Sequence, residues 1–96
     1  GAAALAVGQG ELLAELVGIE VAAAPRREGL VVARVAPRSP AARRGVEPGD
    51  LLLGAGGRKT ADPEALAREV LRALDRGSLL LVVGRRRYAY NLTFPL

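Results

Sequence analysis

The spacing of apolar and polar positions changes character several times along the chain, and each change marks an element. Residues Gly1 to Gly10 hold small residues and glycines without a period, which predicts a flexible or weakly strand-like lead. From Glu11 to Glu15 two acids interrupt an apolar run, so the lead or linker is taken over residues 1–15 and a single folded domain over 16–96. Leu16-Val17-Gly18-Ile19-Glu20-Val21 then reads as a loop entering a short strand. Pro25, Arg26, Arg27 and Glu28 form a polar turn, and Leu30 to Val35 is a β-branched strand with Arg34 facing solvent.

Ser39-Pro40 predicts a helix start, because the hydroxyl can cap free amides and proline stands where no N–H is needed. Gly45 stops that helix early. Glu47-Pro48-Gly49-Asp50 fits a type II turn, Leu51 to Leu53 a short buried strand, and Gly54 to Gly57 a bend or hairpin turn. Asp62 and Pro63 open a second helix whose buried stripe is read as Leu66, Val70 and Leu74. Leu79 to Val83 and Arg87 to Phe94 make a hairpin around Gly84-Arg85-Arg86, with Tyr88, Tyr90, Leu92 and Phe94 on one face by period two, and Pro95 ends the pairing. Strands interleaved with two helices define an α+β chain.

Composition narrows the chemistry. Half of the 96 residues are apolar and only three are aromatic, so the core is aliphatic. Cysteine and histidine are both absent, which removes disulfides, thiolate metal sites, the commonest general base, and Ser-His-Asp or Cys-His catalysis. The two serines, Ser39 and Ser78, are accounted for as a cap and a turn residue, and the paired acids Glu47/Asp50 and Asp62/Glu64 as turn and helix-start chemistry. The expectation is a domain that is not an enzyme and binds no metal and no cofactor. The longest apolar run, Leu79 to Val83, falls far short of the roughly 20 residues of a membrane helix. Thirteen arginines and one lysine give a formal charge of +4, but they come in scattered short groups with few stacking aromatics. They are read as solvated surface charge, with no nucleic-acid partner.

The stretch LVVARVAPRSPAARRGVEPGDLLL, residues 30–53, resembles PDZ domains of the bacterial HtrA and tail-specific protease type. In that family a strand, an SPA helix and a GL-x-PGD turn follow in this order, and here they are Ser39-Pro40-Ala41-Ala42 and Gly45-Val46-Glu47-Pro48-Gly49-Asp50. The resemblance covers about Leu16 to Phe94. It implies a PDZ-like partly open β-barrel of five to six strands capped by two helices, with a peptide groove between one strand edge and the second helix. Leu16-Val17-Gly18-Ile19 matches the carboxylate-binding loop, Ile19, Glu20 and Val21 the pairing edge, and Ala67, Val70 and Leu71 the groove side of the helix. Two departures stand out: Gly56-Gly57 replaces an Asn-Gly pair, and no basic residue precedes Arg26, the loop's neighbours being Glu11, Glu15 and Glu20.

The function so implied is recognition of extended apolar segments, C-terminal or internal, by β-strand addition, within a larger periplasmic or cell-envelope protein such as an HtrA-like protease. Partners are then peptide or protein segments, in a parent that can be membrane-associated. The alternative is an assembly module of a secretion, magnetosome or membrane-protease component with no peptide affinity.

Overall fold

Caps and turn residues punctuate the chain as their chemistry dictates. The computed structural model describes residues 12–27 and 29–96. In chain order these form helix α1 (residues 12–17), strands β1 (Ile19–Ala23) and β2 (Leu30–Val35), helix α2 (Pro40–Arg43), strands β3 (Leu51–Ala55) and β4 (Arg58–Lys59), helix α3 (Pro63–Arg76), and strands β5 (Ser78–Arg85) and β6 (Tyr88–Pro95). One six-stranded antiparallel sheet runs in the order β1-β2-β3-β5-β6, with β4 paired to β3 off that path. This is the expected α+β arrangement.

Local chemistry explains the helix boundaries. Ser39 Oγ accepts from the Ala42 amide at 3.2 Å and Pro40 follows it, so α2 starts where the sequence indicated. Asp62 Oδ1 accepts from the Ala65 amide at 2.8 Å, Pro63 opens α3, and Gly77 ends it. Between α2 and β3 the Asp50 amide donates to the Glu47 carbonyl at 3.1 Å, closing a turn whose Gly49 has φ +95°. Gly56-Gly57, both at positive φ between Ala55 and Arg58, form the two-residue turn that matches strand twist.

Leu13, Val17, Ile19, Leu52, Leu79 and Phe94 are among the side chains that fill the core between the sheet and the helices. Several expectations are corrected. Residues 12–17 are helical where a lead and a loop were expected; Leu12/Leu16 and Leu13/Val17 repeat at i, i+4, and Leu13 and Val17 are buried. The division drawn at residue 15 passes through this helix, and the lead over residues 1–11 lies outside the described residues. Leu74, expected on the buried stripe of α3, is exposed, and Ala73 takes its place. At 3.6 residues per turn, the position seven after Leu66 returns beneath the helix more closely than the position eight after it. β3 continues through Gly54 and Ala55, because β4 crosses so closely that a Cβ on Gly54 would come 2.7 Å from the Arg58 carbonyl oxygen. Arg85 belongs to β5, and the hairpin turn is Arg86-Arg87.

Candidate functional site

β1 stands at one end of the sheet. It pairs with β2 and with no other strand among the described residues, so its outer edge offers backbone donors and acceptors. Ile19 points into the core and Val21 packs against it, while Glu20 faces out beside Arg34 at 3.7 Å, both exposed. Inward apolar and outward polar side chains fix the strand and leave its edge for pairing.

The loop ahead of β1 is shorter than the sequence suggested. Leu16 and Val17 close α1; Val17 is wholly buried and Leu16 half-buried, so neither is a loop residue. Gly18 is the turning point. Its φ is +87°, its carbonyl accepts from the Ala36 amide at 2.8 Å, and a Cβ placed on it would run into the side chain of Ser39. This glycine therefore joins the α1–β1 corner to the start of α2, where close packing requires it. The negative end of α1 and the acids Glu15 and Glu20 flank it along the chain.

On α3 the proposed groove residues separate. Val70, read both on the buried stripe and on the groove side of the helix, is 1% exposed and lies in the core with Leu66 and Ala73. Ala67 is buried too, at 4%, whereas Leu71 is 49% exposed. Ala67, Leu71 and Leu74 repeat at i, i+4 and i+7 along one flank. The opposite flank carries Glu69, buried, which meets Arg72 at 3.3 Å and Arg58 of β4 at 3.8 Å. A Cβ on Gly56 would come 2.6 Å from Glu69 Oε1, so Gly56 leaves room for this carboxylate, whereas Gly57 is required only by its positive φ. One side of α3 is thus tied to the β3–β4 hairpin, and the apolar flank faces away from it. Sequence reasoning missed Leu74 as a flank residue, although the 3.6-residue period held the signal.

Among the described residues the Asp50 carboxylate has the most polar partners. It is buried, accepts from the Glu47 amide at 2.9 Å, and receives a two-pronged bond from Arg85, Nε to Oδ1 and Nη2 to Oδ2, each at 2.8 Å. Arg85 Nη2 also donates to the Gly45 carbonyl at 2.7 Å and lies 3.2 Å from Glu47. The Arg85 guanidinium holds the Asp50 carboxyl below the usual range, against the opposing effect of burial, and the carboxylate in turn raises the Arg85 pKa. These charges are spent on each other. They fasten the turn before β3 to the end of β5, a structural role, and the reading of Arg85 as free surface charge is corrected accordingly.

A sequence profile described as PDZ domain matches residues 31–85. The chain belongs to the PDZ domain family, and its likeness within it is to the HtrA type. The PDZ domain of HtrA3, solved with a phage-derived ligand, is 29% identical, with a TM-score of 0.67 over 82% of this chain and 81% of that one. The HtrA-type protease AlgW, solved with a decapeptide, is 28% identical with a TM-score of 0.70; 98% of this chain is covered, but only 34% of AlgW. A PDZ domain of EpsC from Vibrio cholerae shares the fold at 15% identity, with a TM-score of 0.63 over 81% of this chain and 93% of that one. No curated protein sequence matches the chain. Membership of the PDZ family makes the domain a non-catalytic binding module.

Proposed function

We propose that this domain binds extended apolar protein segments, C-terminal or internal, as an added strand along β1, as part of a larger periplasmic or envelope protein of the HtrA kind. The observation that supports this best is the open outer edge of β1 beside a glycine corner, in a family whose HtrA-type relatives were solved with peptides. Main-chain pairing with Ile19, Glu20 and Val21 supplies the contact, and the exposed Leu71 with Ala67 behind it offers an apolar wall for a ligand side chain. Leu16, Val17 and Val70 act from beneath, by holding the edge and the helix in place.

A short peptide loses its own freedom on binding, so dissociation constants in the micromolar range or weaker are expected, about −8 kcal/mol at best. The test is an NMR titration with an apolar peptide bearing a free C-terminus and with its amidated form. Saturable shifts confined to Gly18 to Val21 and to α3, weakened by Leu71→Glu, support the reading. Loss on amidation identifies carboxylate capture, and no loss identifies internal-segment recognition, for which the acids around Gly18 argue. Absence of saturable shifts with either peptide overturns it in favour of an assembly module. Ala67 is unsuitable for this test because it is buried, so that a larger residue there would perturb folding as well.

A further inference from the structure

The other end of the sheet carries a second set of features that peptide addition at β1 does not use. β6 pairs only with β5 among the described residues, and its eight residues leave a long outer edge. Natural edges are usually shielded by short length, bulges or inward charge. Here the register with β5 runs unbroken from Ser78↔Pro95 to Arg85↔Tyr88. The face shared by Phe94, Leu92, Tyr90 and Tyr88 rises from core to solvent: Phe94 is 2% exposed, Tyr90 46% and Tyr88 66%, and the two tyrosine rings lie 6.5 Å apart.

Beside Tyr90 lies an open concavity of about 220 Å³, walled by Val46, Val83, Leu92 and Tyr90, with Arg44 and the Arg85–Asp50 pair at its polar side. It is smaller than the roughly 300–1,000 Å³ of small-molecule sites, and its size suits one apolar side chain. Charge is also gathered here. The concavity brings Arg44, at the end of α2, together with Arg85, the last residue of β5 before the Arg86-Arg87 turn, so groups distant in sequence meet here. Among the described residues Arg43, Arg44, Arg86 and Arg87 have no ion-pair partner, and the local acids Glu47 and Asp50 are engaged by Arg85. From Gly84 to Leu96 the chain contains no acid at all.

We propose that the outer edge of β6, with the Tyr90 concavity, is a second docking surface, and that its occupant is an extended acidic protein segment carrying an apolar anchor residue. Backbone pairing along the edge gives register, the concavity takes the anchor, and the arginines receive the carboxylates. With Glu47 and Asp50 held by Arg85, the other arginines disfavour a second copy of this chain, which would bring the same arginines as its share of the contact. The scarcity of rings beyond the two tyrosines disfavours single-stranded nucleic acid.

The probe is an acetylated, amidated peptide alternating Glu with Leu, which has no free carboxyl terminus. Titrated into the ¹⁵N-labelled domain, it is expected to shift Tyr88 to Leu92 and Arg44, to weaken steeply with added salt, and to lose about tenfold in affinity in each of Tyr90→Ser and Arg87→Glu. Both variants alter exposed side chains, and unchanged shifts elsewhere report that they fold. The proposal is overturned if the peptide leaves β6 unshifted, if an oligo-dT probe binds this face as tightly, or if sedimentation shows that β6 is taken by a second copy. It is also overturned if the β6 edge amides are already protected from hydrogen exchange in the free protein. Shifts at β1 with a neutral apolar peptide are read separately, so failure here and failure of the β1 site are distinguishable.

Discussion

Replacing Gly18 with alanine separates two costs that a glycine at positive φ can hide. Any residue with a Cβ in left-handed space costs about 1–2 kcal/mol. Gly49, at φ +95° with nothing within 4 Å of a built Cβ, shows that cost alone, so Gly49→Ala should destabilise by about 1–2 kcal/mol. Gly18, at φ +87°, adds a collision with the Ser39 side chain and a contact of 3.4 Å with Ala36 Cβ. Overpacking of this kind adds about 1–3 kcal/mol, so Gly18→Ala should destabilise by about 2–5 kcal/mol. Ser39→Gly removes the obstacle while sacrificing the hydroxyl that caps α2, a loss of only a few tenths of a kcal/mol on going to glycine. The double variant should therefore be less destabilised than the sum of the singles, by about 1–3 kcal/mol. Urea unfolding followed by circular dichroism measures all five proteins, with the slope against urea checking that the denatured state is unchanged. If Gly18→Ala is no worse than Gly49→Ala, or if Ser39→Gly gives no relief, the packing account of this corner is wrong.

Two further outcomes follow from the structure. Because Arg85 lowers the Asp50 pKa, the native state binds that proton more weakly than the unfolded chain; its contribution is complete above about pH 4 and is lost as pH falls through the folded value. Melting temperature across the acid range should show this loss in the parent and a shallower decline in Asp50→Asn. On α3, Ala73→Leu should destabilise by about 1–3 kcal/mol, because Ala73 is fully buried, while Leu74→Lys should stay within about 0.5 kcal/mol, and a reversal would restore the stripe read from sequence.

The parts that were legible in the sequence are those whose physics is local. Ser39-Pro40, Asp62-Pro63 and Glu47-Pro48-Gly49-Asp50 act within three residues of themselves, so caps and turn were found in place. Arg85 was misread because its partners lie 35 and 40 residues away, and no local pattern distinguishes it from Arg86 and Arg87. α1 was missed because Leu12, Leu13, Leu16 and Val17 fit a strand entry as readily as a helix when Gly18 follows at once. For the candidate groove, the family pattern supplied positions, but only burial divides Val70, in the core, from Leu71, on the surface.

The clamp between Asp50 and Arg85 has a consequence in time. The turn it secures closes locally, the Asp50 amide meeting the Glu47 carbonyl three residues back, and so can form early. The clamp itself must wait until a stretch of 35 residues has been drawn together and β5 has reached β3, a closure whose entropy is lost before its bonds are gained. Interactions completed after the folding barrier govern escape from the native state more than arrival in it. The arginine at the end of β5 is therefore expected to act as a late fastening: Arg85→Ala should speed unfolding more than it slows refolding in stopped-flow measurements, and the reverse would place the clamp before the barrier.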